Sequence, residues 1–146
     1  WAEGFYLSAL KRAGQAIEAR LLVDRIFDAE PDAMVAVTGD CNAELRETAT
    51  RLLQADDEDT GNGALAGRAL IPVERSLAEE RRFTVIHAGR RVMLDHLLAS
   101  RALMARFHAA EIHNEALGDE LVAYATVEAS PESYHAPLVA EFDLKD

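Results

Sequence analysis

The sequence predicts an α+β fold, and three observations carry that expectation. Apolar residues recur at helical spacing through a long opening segment. Short apolar or β-branched runs recur after it. Pro and Gly punctuate the boundaries between them. The length of 146 residues suits one domain with a sizeable core. Apolar content of 49% and charged content of 28% belong to a globular chain, not a disordered one.

From about Phe5 to Ala29, residues Leu10, Ala13, Ile17, Leu21, Leu22 and Ile26 fall near a 3.6-residue period. Lys11, Arg12, Gln15, Glu18 and Arg25 fill the other positions. Gly14 weakens this helix by roughly 1 kcal/mol relative to Ala, and Pro31 ends it. Met34 to Val37 reads as a buried strand, with Gly39 breaking the pattern and Asp40 and Asn42 at its tip. Leu45, Ala49, Leu52 and Leu53 then mark one face of a helix ending near Gln54. Ala55 to Gly63 is rich in acids but lacks the closing acid of a calcium loop, so it reads as a surface loop. Ala64 to Leu77 is ambiguous, with a short extended piece at Leu70–Val73.

Phe83–His87 and Val92–Ala99 read as a β-hairpin about Ala88-Gly89-Arg90. Asp95 and His96 sit inside its second strand, where charged groups require partners. Ala102 to His113 fits helix or strand, with a turn followed by a strand at Phe107–Ile112 the better fit. Leu117–Tyr124 reads as loop with a short helical turn, and Ser130–Ser133 as loop. Leu138–Phe142 is the last strand, with Pro137 at its start, where a missing N–H is tolerated.

Charge and cysteine content exclude several function classes. A net charge of −11 leaves no broad basic face, so nonspecific binding to duplex nucleic acid would need a metal or a local patch. The single cysteine, Cys41, excludes an intrachain disulfide and allows a reducing compartment, which favours the cytoplasm. No apolar run approaches the ~18 residues of a membrane span, and no charged-then-apolar signal peptide opens the chain. A start at Trp1 rather than Met leads us to expect a fragment or a processed product.

The candidate site residues are Asp40, Asn42, Asp95, Tyr134 and His135, each beside an apolar run and so near a strand end. If these ends meet, they bring together two acids, an amide and a histidine. A carboxylate that accepts the imidazole N–H fixes its tautomer. A second can orient a water or take its proton. An amide can hold a phosphate oxygen. This is a set suited to metal-assisted phosphoester cleavage. Blander roles exist for each. Asp40 and Asn42 suit a turn and a helix cap, Asp95 could pair with Arg91, and His135 could be a loop histidine. His87, His96, His108 and His113 lack ligand spacing and read as structural. Cys41 reads as a small apolar residue rather than a reactive thiol. Arg75, Arg81, Arg82, Arg90 and Arg91 read as a solvated face rather than a phosphate groove.

Three stretches in order resemble motifs of the endonuclease/exonuclease/phosphatase superfamily, the DNase I-like magnesium phosphoesterases. They are Val37-Thr38-Gly39-Asp40-Cys41-Asn42-Ala43, Arg91-Val92-Met93-Leu94-Asp95-His96-Leu97-Leu98-Ala99-Ser100 and Ser133-Tyr134-His135-Ala136-Pro137-Leu138-Val139-Ala140-Glu141-Phe142. The resemblance is to the second half of that domain and covers most of the chain. The opening helix with Arg12 and Gln15 is similar to the one that precedes the Gly-Asp-x-Asn strand in bacterial members.

The resemblance implies part of a four-layer α/β/β/α sandwich with mixed sheets and flanking helices. It implies Mg2+ (or Mn2+) as cofactor, with Asp40 a possible ligand, and a phosphate-ester substrate. Asp40 would orient or deprotonate the attacking water or protonate the leaving group. Asn42 would contact the phosphate, His135 would stabilise its charge, and Asp95 would hold His135. Tyr134 stands where the family usually has Asp, and its hydroxyl could still contact phosphate. The family's main metal-binding Glu and an early Asn belong to the first half of the domain, which no segment here resembles. That half is expected in the same gene product or in another chain, and these residues alone are expected to be inactive. A non-catalytic relative that binds a phosphate ligand or a protein partner is the alternative. An unrelated nucleotide-binding α/β domain would need a Gly-rich phosphate loop, and the sequence has none.

Overall fold

The computed structural model of the chain describes residues 1–121 and 133–144. Its elements are α1 (Ala2–Ala29), β1 (Ala36–Asp40), α2 (Thr48–Gln54), α3 (Asp57–Thr60), β2 (Ile71–Pro72), β3 (Val85–His87), β4 (Arg90–Val92), β5 (Asp95–Ala99), α4 (Arg101–Met104), β6 (Phe107–Ile112) and β7 (Leu138–Phe142). Three 3-10 turns lie between Gly63 and Arg81. The fold is α+β, as its sequence predicts.

β5 is the centre of the molecule. It pairs antiparallel with β1 on one edge, from Ala36↔Ala99 to Asp40↔Asp95, and with β2 on the other. Two further antiparallel pairs, β3–β4 and β6–β7, form separate sheets. Among the described residues the parallel contact is an isolated bridge, Ile86 to Asp119. The described residues therefore carry three small antiparallel sheets, not the mixed sheet that was expected.

Alternation along β5 sorts its side chains into two layers. Leu98 packs with Val23 and Phe27 of α1, Ala49 and Leu53 of α2, and Val35. Ala99 packs the other way, with Val73 and Leu103, toward Phe107, Ala140 and Phe142. A third cluster joins Met93, Ile112 and Ala136 and seats the start of β7. Ser100 ties these layers. Its hydroxyl donates to Ala33 O and accepts from Val35 N, and it caps α4 through Leu103 N.

The opening helix packs by a different face from the one that carries its apolar period. Ala16, Arg20, Val23 and Phe27 are buried, at spacings of four, three and four. Leu10, Ile17, Leu21, Leu22 and Ile26 remain well exposed. Small residues at 16 and 19 let the helix sit close to α2. Arg20 reaches the buried layer because its guanidinium is satisfied by Asp24 and by Leu53 O.

Several boundaries differ from expectation. β1 is not a buried strand: Met34 is exposed, and most of the strand is open because it lies at a sheet edge. Gly39 does not break it. The ladder continues through Gly39, opposite His96, at φ +153, a conformation that side chains other than glycine rarely adopt. The second helix begins at Thr48, not Leu45. Its N-cap is Glu47, so neither Asp40 nor Asn42 caps it. The predicted hairpin ends at Val92. Ala88 and Gly89 both have positive φ, which gives a tight two-residue turn. Thr84 then captures the chain, its hydroxyl accepting from the N–H of Leu94 and of Asp95, so residues 95–99 leave β3 and pair with β1. The acidic loop contains α3, and the ambiguous 64–77 stretch forms two 3-10 turns around β2. Phe107–Ile112 and Leu138–Phe142 are strands with the bounds expected. The expected turn at Leu117–Tyr124 and loop at Ser130–Ser133 lie partly outside the described residues.

Candidate active site

Asp40 ends β1 and Asp95 begins β5, and the ladder sets them directly opposite each other. Opposed residues of an antiparallel pair project from the same face, so register alone makes the two carboxylates neighbours. His135 arrives in the segment before β7, and its Nδ1 lies 2.7 Å from Asp95 Oδ2. One ligand atom from each of Asp40, Asp95 and His135 falls within 4.8 Å of the others. Asp40 is exposed, whereas Asp95 and His135 are half-buried. The group is thus anchored on one side and reachable on the other. Asp95 pairs with His135 and not with Arg91, whose guanidinium lies 4.6 Å over the Phe83 ring.

Asn42 follows Asp40 in a left-handed turn, with φ +46, which asparagine tolerates. Its backbone N–H donates to Asp40 Oδ1 at 2.8 Å and its side-chain amide donates to Oδ2 at 3.0 Å. The turn role open to this pair is therefore real. It also aims the Asp40 carboxylate and leaves the amide a second N–H. Tyr134 is half-buried beside His135 in the chain. Arg12 and Gln15 of α1 line a cavity of about 150 Å3 with Val37, Asp40 and Cys41. Burial, with Asp40, Glu74 and Asp95 nearby, pushes the Cys41 thiol up to about 11. It stays protonated at neutral pH, which makes it a poor nucleophile.

Two supports behind the site have no motif of their own. Thr84 is fully buried. Its hydroxyl accepts from Asp95 N at 3.2 Å, and its carbonyl accepts from Ala136 N at 2.8 Å. One residue therefore braces both halves of the Asp95–His135 pair. The Ser133 hydroxyl accepts from His135 N and fixes the turn from the other side. Thr84→Val keeps the volume but strands two N–H groups. We expect a loss of about 1–3 kcal/mol in urea denaturation.

The second support is a buried pair. His96 follows Asp95 and points to the opposite face of β5, where its Nδ1 meets Glu74 Oε1 at 2.5 Å. Its Nε2–H donates to Ala43 O at 2.7 Å, which pins the chain just after Asn42. Burial disfavours the imidazolium, but the Glu74 hydrogen bond and charge, the Ala43 carbonyl and Asp95 outweigh it, so its pKa is raised. The requirement for a partner at residue 96 is visible in the sequence; nothing in the sequence identifies Glu74. The other histidines are structural or exposed: His87 meets Glu120, and His113 lies 3.2 Å from Glu111. Arg81 and Arg82 staple loops by donating to the carbonyls of Ile112 and Leu77, and Arg75 donates to Gln54. They are neither a plain solvated face nor a phosphate groove.

Two carboxylates with free lone pairs suit a hard divalent cation, which takes oxygen ligands and keeps waters or substrate oxygens. The imidazole is committed to Asp95 through Nδ1 and leaves Nε2 for an oxyanion. The donor set therefore fits Mg2+ or Mn2+ held by Asp40 and Asp95, with few protein ligands. No family model, no curated protein and no solved structure matches the chain.

Proposed function

We propose that Asp40, Asn42, Asp95 and His135 form the catalytic centre of a divalent-metal-dependent phosphoesterase of the endonuclease/exonuclease/phosphatase superfamily. This chain is the second half of its domain. In that reading α1 and α2 over the β1–β5–β2 sheet are one helix layer and one sheet layer of the α/β/β/α sandwich. The observation that carries the proposal is the convergence of three separated motifs: the Asp40↔Asp95 register and the His135–Asp95 hydrogen bond.

Each residue then has a task. Asp95 accepts the Nδ1–H of His135 and fixes its tautomer, as a carboxylate does for any positioned imidazole. His135 Nε2, when protonated, donates to a phosphate oxygen as charge builds in the transition state. Asp40 orients the attacking water and takes its proton, or supplies one to the leaving group. The second N–H of the Asn42 amide and the Tyr134 hydroxyl hold phosphate oxygens. Asp40 and Asp95, with an acid from the other half of the domain, would hold Mg2+ or Mn2+, which would supply neutralisation of phosphate charge and polarisation of the ester. The missing half is proposed to reside in the same gene product or in a partner chain.

The test is hydrolysis of bis-p-nitrophenyl phosphate, nucleic acid and small phosphate monoesters by the gene product that carries this chain. We expect turnover in Mg2+ that chelation abolishes; activity indifferent to chelation contradicts the proposal. Tyr134 favours the second reading, a non-catalytic relative that binds a phosphate ligand or a partner, because it brings no carboxylate where the family usually has Asp. On the catalytic reading, Tyr134→Asp should raise turnover severalfold. Unchanged or lower turnover would show that the tyrosine is not the defect.

A further inference from the structure

Helix α1 carries a second apolar face that nothing in the described residues covers. Leu7, Leu10, Ile17 and Leu21 are between 45% and 55% exposed. With Gly14 they follow three-four spacing, the heptad seam of a coiled coil. The face lies away from Ala16, Arg20, Val23 and Phe27, which α1 already buries. Open space surrounds Gly14, so a second backbone can approach closely there.

The charges beside the seam say what covers it. Lys11, Glu18 and Arg25 are exposed and alternate in sign along one edge. None of them makes an ion pair in the described residues. We propose that α1 pairs with α1 of a second copy of this chain, antiparallel, about a two-fold axis near residues 15 and 16. Leu10 then meets Leu21 of the second copy, and Gly14 meets Ile17. Lys11 meets Glu18, a contact made twice by symmetry. A parallel pair brings the two copies of each charge level with each other and forms none of these contacts. The other edge matches too. Tyr6, 62% exposed, comes opposite residue 25 of the second copy. A cavity of about 520 Å3, lined by Arg20, Asp24, Leu52, Leu65 and Arg68, opens beside that position. The ring fits a space bordered by apolar side chains and guanidinium groups.

Sedimentation equilibrium of the chain tests this. We expect a dimer that dissociates in the range of about 1–100 μM, consistent with a small helical interface. Ile17→Asp should make it monomeric with unchanged far-UV circular dichroism. Lys11→Glu should raise Kd about tenfold, because it turns two attractive pairs repulsive. Lys11→Glu with Glu18→Lys should restore Kd to within about threefold, as expected for a swapped ion pair. A folded monomer at about 100 μM, the upper end of that range, overturns the proposal and assigns the face to another partner. A dimer insensitive to Ile17→Asp overturns it as well. Failure of the charge swap to restore affinity overturns the antiparallel register.

Discussion

Glu74→Ala is expected to destabilise the protein by about 3–5 kcal/mol, the usual cost of removing one partner of a buried ion pair. Glu74 and His96 are both essentially inaccessible, at 0% and 1%. His96 is also bound to Ala43 O, so the change leaves an imidazole between an empty acceptor site and a carbonyl. Urea denaturation measures the loss; a change under about 1 kcal/mol, the scale of a surface pair, contradicts it. The pair also makes stability depend on pH. The folded His96 pKa is raised above its ordinary value of 6.5. A raised pKa means the folded state holds the proton more tightly, so this contribution is complete below about 6.5 and is lost as pH rises through the folded value. The stability gap between the native protein and Glu74→Gln should therefore shrink as pH rises above 6.5. A gap that grows with pH would reverse the assignment.

His135→Ala is expected to reduce phosphodiester turnover by about 10²–10⁴-fold, the range for a positioned proton donor or charge stabiliser. On the proposed function the effect should fall on kcat more than on KM, because His135 would act on charge that develops in the transition state. Asp95→Asn should produce much of the same loss while leaving His135 in place, since the amide cannot hold the imidazolium as a carboxylate does. The double variant should lose little more than His135→Ala alone, because Asp95 acts through His135. Additive losses would mean that the two residues work separately, despite the 2.7 Å contact between them.

The site was far easier to read from the sequence than the packing around it. Asp40, Asn42, Asp95 and His135 each announce themselves as polar groups beside an apolar run, and strand ends are what an alternating pattern locates well. Their convergence follows from one register, which puts residue 40 opposite residue 95. Leu138–Phe142 was plain, whereas Phe107–Ile112 fitted helix or strand, because its central Ala109 and Ala110 suit either and only pairing with the last strand decides. The hairpin was drawn too long because the exit after Val92 is made by a side chain, the Thr84 hydroxyl, and a hydroxyl leaves no periodic trace. Glu74 was missed for a similar reason. A buried acid looks like any surface acid until its histidine is located. The helical period of α1 was read correctly but assigned to the wrong face. Ala16, Arg20, Val23 and Phe27 point inward there, and Leu10, Ile17, Leu21, Leu22 and Ile26 point out. That inversion is the strongest sign that the helix has a partner.

The central claim, that the carboxylate opposite Asp95 runs phosphoester chemistry, is tested most directly by one comparison. The gene product bearing this chain and its Asp40→Ala variant are assayed side by side on bis-p-nitrophenyl phosphate in Mg2+. Asp40 lies exposed at the end of an edge strand, so its loss should leave the fold intact. A fall of at least about 100-fold in turnover, as expected for loss of a positioned acid–base group, is the predicted result. Equal rates for the two proteins, or no hydrolysis by either, would contradict it.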